Sequence, residues 1–479
     1  MVGLFGIILS LVLLMYLAYR GITVLILAPL LAVMAVLFAG DLPLLATYTQ
    51  VFMTAAGRFV TTYFPLFLLG ALFGKLMDDS GSARAIAHWI VQKLGAERSI
   101  LAVVLACGIL TYGGVSLFVV AFAVYPIAVA LFREAEIPKR LIPGAIALGS
   151  FTFTMTALPG TPAIQNLIPM PYFGTDAFAA PGLGIMAAAI MLVGGTAWLG
   201  WRHHRAHAAG EGYGNHADDP ATASGVSPRP RSVGAMAIDQ EEVGAPGILV
   251  AVLPIVLVIA LNYVFTNHLI PTWDTGYLAE PKYGATTVNK VQGTWAIIIA
   301  LVISSVAVAA LNWRVLRDRI ASSINDGAMG SLLPIFNTAS EVGYGAVIAS
   351  LAAFAILRDA VLNLSPDNPL ISLAVAVNVL AGVTGSASGG MSIALETLGA
   401  TYAQLGQAAG INPELLHRVT AISSGGFDAL PHNGAVITLL AICKLTHRQS
   451  YVDILVVAVA IPVTSLIAVI TLGTMLGSF

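Results

Sequence analysis

Two stretches of this chain are the wrong length for anything but a folded-back structure. Residues 99–132 are 34 mostly apolar residues with Thr111-Tyr112-Gly113-Gly114-Val115-Ser116 at their middle. One span across a bilayer needs about 20 residues, so such a segment is too long for one crossing and too short for two. Both of its flanks are basic (Arg98 on one side, Arg133, Lys139 and Arg140 on the other), which puts both ends on one side. A re-entrant hairpin with a glycine tip fits all three facts. Residues 368–400 repeat the pattern around Thr384-Gly385-Ser386-Ala387-Ser388-Gly389-Gly390.

A second irregularity follows each hairpin. Residues 140–170 carry Thr154, Thr156, Pro159, Gly160, Thr161 and Pro162 inside an apolar run. The apolar segment from Leu415 to Thr446 is interrupted by Ser423-Ser424-Gly425-Gly426-Phe427-Asp428-Ala429-Leu430-Pro431-His432-Asn433-Gly434. Breaking a helix in lipid frees backbone N–H and C=O groups, each worth several kcal/mol unless protein, water or a solute satisfies it. Breaks of this kind are tolerated where they line a cavity.

The composition agrees with a membrane setting: 58% hydrophobic, 10% charged, mean hydropathy +0.88. Nothing basic enough to engage nucleic acid is present. Cys107 and Cys443 both lie in apolar segments, so neither a disulfide framework nor a cysteine metal site is expected. The N-terminus has no basic n-region or cleavage site and reads as a retained first span. Plain spans are predicted at 2–19, 22–39, 59–76, 183–201, 247–266, 294–312 and 453–476, with an interfacial helix over 80–97. Residues 202–243 read as a solvated linker, which also takes in His203, His204 and His207.

The fold predicted is an all-α polytopic membrane protein with about ten spans and two re-entrant hairpins. With the N-terminus outside, the positive-inside rule places 17 of the 22 lysines and arginines inside and five outside, Arg418 among the five. Both termini are then extracytoplasmic. The chain divides as N-terminal spans (1–58), a first repeat (59–201), a cytoplasmic linker (202–243), connecting spans with an extracytoplasmic loop (244–326) and a second repeat (327–479). The repeats share short matches at near-constant offset. Ala157-Leu158-Pro159 recurs as Ala429-Leu430-Pro431, 272 positions on, and Phe64-Pro65-Leu66-Phe67 as Leu333-Pro334-Ile335-Phe336, 269 positions on. Inverted-topology repeats with paired broken helices are a common architecture of secondary transporters.

Half-helix N-termini at such breaks offer free N–H groups and partial positive charge, a seat for a carboxylate. The substrate-contacting candidates in the first half are Thr111, Tyr112, Gly113, Gly114, Ser116, Thr156 and Thr161. In the second half they are Ser386, Ser388, Ser424, His432 and Asn433. With no lysine or arginine read into these stretches, dipoles and hydroxyls are expected to hold a small anion. Ionisable residues within the membrane are the candidates for proton coupling: Asp428, His432 and Glu341. Asp428 also suits a helix-capping role, and the hydroxyls also suit back-bonding to helix carbonyls. Sodium is the alternative ion, since carbonyls and hydroxyls at breaks hold it equally well. A passive channel is a second class. An intramembrane hydrolase using Ser386 or Ser388 with His432 is a remote third, because the spacing does not match G-x-S-x-G. No cofactor motif and no metal-ligand set appears.

The stretch Leu430-Pro431-His432-Asn433-Gly434-Ala435-Val436, the Thr384–Gly390 tip and the order of elements resemble the GntP family of gluconate and D-β-hydroxybutyrate permeases, within the ion-transporter superfamily. The resemblance implies a homodimer in the bacterial inner membrane with scaffold and transport domains. It also implies proton-coupled, elevator-type uptake of a small hydroxy-carboxylate. The sparsely charged tips favour a short substrate such as D-3-hydroxybutyrate over gluconate.

Overall fold

In a computed structural model that describes residues 2–95, 98–214, 216 and 246–479, the chain is helical throughout, with no strand among the described residues. Helices α1 (Val2–Tyr19) and α2 (Val24–Ala39), where two spans were expected, are apolar, short and packed against each other. Then come α3 (Leu44–Asp79), α4 (Ser82–Leu94), α5 (Ser99–Tyr112) and α6 (Leu117–Glu134). The first broken stretch is α7 (Ile142–Ser150), α8 (Phe153–Thr156), α9 (Ile164–Leu167) and α10 (Met170–Phe173), followed by α11 (Pro181–Ala208). The remainder is α12 (Ile248–Thr272), α13 (Val288–Leu311), α14 (Ile320–Ser350), α15 (Phe354–Leu362), α16 (Pro369–Thr384), α17 (Ala387–Ala408), α18 (Pro413–Ser424), α19 (Gly434–Ile442) and α20 (His447–Leu476).

Helices α3, α11, α12, α13 and α20 are each long and apolar enough to cross a bilayer, and α14 with α15, bent by 96°, makes a sixth. Leu249, Val193, Val306 and Ile467 on these helices point outward and stay exposed, as lipid-facing side chains do. The other apolar segments are divided into shorter helices. Both anomalous segments are helix–turn–helix units: α5–α6 around residues 113–116, and α16–α17 around Gly385 and Ser386. At 14 residues, α5 is about 21 Å long, shorter than a hydrocarbon core of ~30 Å.

Local chemistry explains where the helices start and stop. Asn368, Asn412 and Asn433 each accept a first-turn N–H with the side-chain oxygen, and Pro369 and Pro413 occupy the first helical position, where no N–H is missed. Ser386 caps α17 by accepting the Gly389 N–H at 3.0 Å. Gly385 ends α16 in the left-handed region at φ 65°.

The same order of elements occurs twice: α3 to α11, and α14 to α20. The Pro65 and Pro334 helices, α3 and α14, pack along each other, and α1 and α2 cover α14 through a small separate core that includes Tyr344, Val347 and Ile348. Helix α3 runs unbroken through residues 58 and 59, where the sequence suggested a boundary. The amphipathic α4 forms as expected and buries Ala83, Ile86, Ala87 and Ile90.

Helix α11 continues to Ala208, so His203, His204 and His207 stand on a helix and not in the linker. The apolar-to-polar switch at residue 202 marks no break in the helix; the helix simply outlasts its apolar portion. The rest of the expected linker, residues 215 and 217–243, lies outside the described residues. Beyond α11, Glu211 takes two hydrogen bonds from Arg140 at 2.7 and 2.9 Å, which hold its carboxyl below the usual range. Arg140, Arg202 and Trp198 converge on the buried Asp453, tying the start of α7 and the ends of α11 and α20 together.

Candidate functional site

In the second half, the hairpin tip and the broken helix hold each other by backbone-directed bonds. Asn433 Nδ2 donates to the Gly385 carbonyl at 2.8 Å while its Oδ1 accepts from Ala435 and Val436. His432 Nε2 is 2.8 Å from the Gly382 carbonyl. His447 Nε2 and the Tyr451 hydroxyl reach the Pro431 and Ala429 carbonyls, so side chains meet the carbonyls that the break released. The Ser388 hydroxyl lies 3.5 Å from that of Ser386 and 3.3 Å from that of Thr338 on α14. One turn on, the Glu341 carboxylate sits against Gly389, at 2% exposure. Asp428 is half-buried between the glycines and Pro431.

The first half repeats this arrangement with fewer side chains. The Tyr112 hydroxyl donates to the Pro159 carbonyl at 2.7 Å. Gly114, at φ 92°, faces Pro162, and a Cβ there would lie 3.0 Å from the Pro162 ring. This is a turn only glycine makes without strain. Gly113 is closed in by Ile255 of α12. The two breaks touch: a Cβ on Gly425 would be 2.8 Å from the Thr156 methyl. Contact thus runs from the first tip through both breaks to the second tip.

Arg418 departs from the expectation. Read as an extracytoplasmic flank, it is fully buried on α18 and serves the first break. Its Nε and one terminal nitrogen donate to the Ala179 carbonyl at 3.0 and 2.6 Å. The other donates to Asn166 Oδ1 at 3.1 Å and the Thr156 carbonyl at 3.4 Å. Asn166 in turn donates to the Thr161 and Ala177 carbonyls, and His417 pairs with Thr175 at 2.7 Å. The anticipated absence of a guanidinium from these stretches is therefore corrected. A charged residue inside an apolar segment was the available signal.

The other expected residues fall into three groups. Ser386, Ser388, His432, Asn433, Tyr112, Gly113 and Gly114 meet at the tips and breaks. Ser424 donates to the Ala421 carbonyl at 2.7 Å and Thr156 to the Thr152 carbonyl at 3.2 Å, both turned back on their own segments, while Thr161 accepts the Ala163 N–H. Ser116 is exposed at the head of α6. Thr111 Oγ1, Glu341 Oε2, Asn378 Oδ1 and Asp428 Oδ1 are buried with no hydrogen-bond partner among the described residues, where buried polar atoms are ordinarily satisfied. Neither Ser386 nor Ser388 is hydrogen-bonded to His432, whose Nε2 lies at the Gly382 carbonyl.

Helix–turn–helix tips and broken helices inside a multi-pass helical bundle are an architecture found among transporters. The known proteins it is similar to agree. Over 476 residues, 98% of each chain, it is 45% identical to YxjC, an uncharacterized transporter of Bacillus subtilis. Shorter matches reach the high-affinity gluconate transporter of Escherichia coli (34% over 102 residues, 21% of this chain and 22% of that one) and a gluconate permease of Bacillus licheniformis (38% over 105 residues, 21% and 23%). The chain belongs to the GntP family of permeases. No family profile matches it. Its fold is similar to that of the YdaH transporter of Alcanivorax borkumensis, with a TM-score of 0.54 and 16% identity over 90% of this chain and 89% of that one. It is likewise similar to MtrF of Neisseria gonorrhoeae, with a TM-score of 0.53 and 12% identity over 90% and 85%.

Proposed function

We propose that this permease is a secondary active carrier that takes up a small hydroxy-carboxylate, D-3-hydroxybutyrate in the first place, together with a proton. The observation that carries the reading is the contact that joins both tips and both breaks, with partnerless hydroxyl, amide and carboxylate oxygens along it. First-turn N–H groups of α17 and α19 suit a carboxylate, and the hydroxyls of Ser388 and Thr111 suit a substrate hydroxyl. Two tips that carry no charged side chain favour the shorter acid; gluconate is the alternative. Asp428, His432 and Glu341 are the groups that take up or relay the coupled proton. The two similar halves act as an inverted-topology repeat with the hairpins re-entrant, and the tips and breaks travel together, elevator-fashion, within a homodimer of the bacterial inner membrane.

Sodium coupling is the second reading, favoured by the oxygen atoms of Glu341, Ser386, Ser388 and Thr338 lying close together. Uptake of labelled D-3-hydroxybutyrate into proteoliposomes, with an inward proton gradient and no sodium, separates these readings. Accumulation above equilibrium that a protonophore collapses is expected. Asp428→Asn is expected to abolish that accumulation while the protein stays folded; accumulation at the wild-type level in this variant would remove Asp428 from coupling. Uptake of gluconate alone would replace the substrate, a requirement for sodium would replace the ion, and equilibration without accumulation would indicate a channel.

A further inference from the structure

The N-terminus of α17 is met by a buried carboxyl group, that of Glu341. Helix α17 is 22 residues long, and its first-turn N–H groups at Ala387 and Ser388 have no intrahelical acceptor. Its N-terminus carries the positive end of the helix dipole. Into this terminus projects Glu341 from α14. A methyl group at Gly389 would overlap the Glu341 carboxylate, so glycine at 389 is what lets the side chain reach the helix end. Glu341 is nine-tenths buried and more, and its Oε2 has no hydrogen-bond partner. A buried carboxyl group aimed at a helix N-terminus, with no ion-pair partner among the described residues, stands where an anion is favoured.

Among the described residues no cation pairs with this carboxyl. The elements packed against α14 are α2, α3, α15 and α17, and α2 has no titratable residue. On α3, Lys75 pairs with Asp79 at 2.9 Å, Arg58 is 3.9 Å from Glu396 of α17, and Tyr63 donates to the Ile168 carbonyl. Tyr48 and Asp78 complete that helix near α14, and neither contacts Glu341. Arg358 of α15 pairs with Asp359, Tyr344 of α14 bonds Ser10, and Tyr402 of α17 bonds nothing at this end. His432 is hydrogen-bonded to the Gly382 carbonyl, and neither it nor Asp428 of the second break is hydrogen-bonded to Glu341.

We infer that Glu341 is a tethered stand-in for the substrate: the ionised side chain and the substrate's carboxylate are alternative occupants of the α17 N-terminus. The inference rests on the carboxylate reading above and gives it a coupling device. An arriving carboxylate can take the seat once Glu341 has taken up one proton on its carboxylate. One anion and one proton enter, and the seat holds one negative charge before and after. Releasing the proton on the other side returns Glu341 to the helix end and ejects the substrate.

The test is calorimetric titration of the purified full chain with D-3-hydroxybutyrate, and with gluconate, in buffers of different ionisation enthalpy. Wild type is expected to take up about one proton per ligand, and its affinity to fall about tenfold per pH unit above the ionisation of the linked group. Glu341→Gln is expected to bind with no proton uptake and an affinity flat with pH. Undiminished proton uptake in Glu341→Gln overturns the inference, and so does wild-type binding with sodium in place of a proton. Should the variant fail to fold, infrared difference spectra of wild type decide. Ligand is expected to raise a carboxylic-acid C=O band and bleach a carboxylate band, and unchanged carboxyl bands would overturn the idea. Ligand binding by wild type with no proton uptake removes this inference alone. Binding of neither ligand removes the carboxylate reading and the inference with it.

Discussion

Arg418→Leu is expected to yield a protein that melts roughly 3–5 °C below wild type and transports nothing. The guanidinium bonds the Ala179 and Thr156 carbonyls and Asn166 Oδ1 in a fully buried setting. Leucine leaves these acceptors dry and unpaired, at about 1–3 kcal/mol each, so a loss of about 3–5 kcal/mol is reasonable after partial relaxation. The damage concentrates at a strained place. Ala180, next to the bonded carbonyl, has φ 44°, a left-handed conformation costing a non-glycine residue about 1–2 kcal/mol. The same turn is held from α18 by Glu414, whose carboxylate accepts the Ala180 N–H at 3.2 Å. Without Arg418, the turn that starts α11 and the break at Thr156 lose their common anchor, and Thr156 is what Gly425 packs against. Both breaks then shift together.

Arg418→Lys separates charge from geometry. One ammonium keeps the positive charge but presents a single nitrogen, which cannot reach Ala179 on one side and Asn166 on the other as the planar fork does. An intermediate melting temperature with transport still impaired is the expected result in a detergent thermal-shift assay paired with proteoliposome uptake. Wild-type behaviour of Arg418→Leu in both assays would show that the network carries no weight.

What was legible in the sequence was whatever leaves a mark on the chain itself. Two apolar segments of anomalous length announced α5–α6 and α16–α17, because bilayer thickness fixes helix length. The glycine- and proline-bearing interruptions announced the breaks, because apolar helices do not otherwise carry them. Asn412-Pro413 and Asn433-Gly434 are cap signals, and the helices start there. Arg418 was misplaced because its meaning is tertiary: its partners are 239 to 262 positions away, and three residues from Leu415 it looked like a flank. Hydroxyl direction was equally unreadable. Ser388 and Ser424 sit in similar polar, glycine-flanked stretches. Ser388 opens toward Thr338 on another helix, and Ser424 turns back to Ala421. Spacing gives a residue's position on the backbone, and packing decides where its oxygen points.

Gly390→Ala is expected to lower the transport rate by roughly a hundredfold while costing only about 1–3 kcal/mol of stability. Helices α16 and α17 approach so closely at this point that a methyl group on residue 390 would overlap the backbone of Leu380 and Ala381. A flexible side chain could swing aside; a helix backbone can only move bodily. The hairpin must therefore open by on the order of 1 Å to restore ordinary contact distances. That opening acts at the tip, four residues from Ser386 and one from Gly389, where the Asn433–Gly385 bond of 2.8 Å and the seat of the Glu341 carboxylate both depend on register. A bond of this kind is lost within such a displacement, and a misplacement of that size is enough to lose most of a site's efficiency. Gly70→Ala on α3 is the matched control: no atom lies within 4 Å of a Cβ there, and alanine in a helix interior is favoured over glycine by about 0.5–1 kcal/mol. Purified Gly70→Ala should melt at or above wild type and transport normally. If Gly390→Ala did the same, the close approach of the two helices would be incidental, and the tip would not need its position to bind substrate.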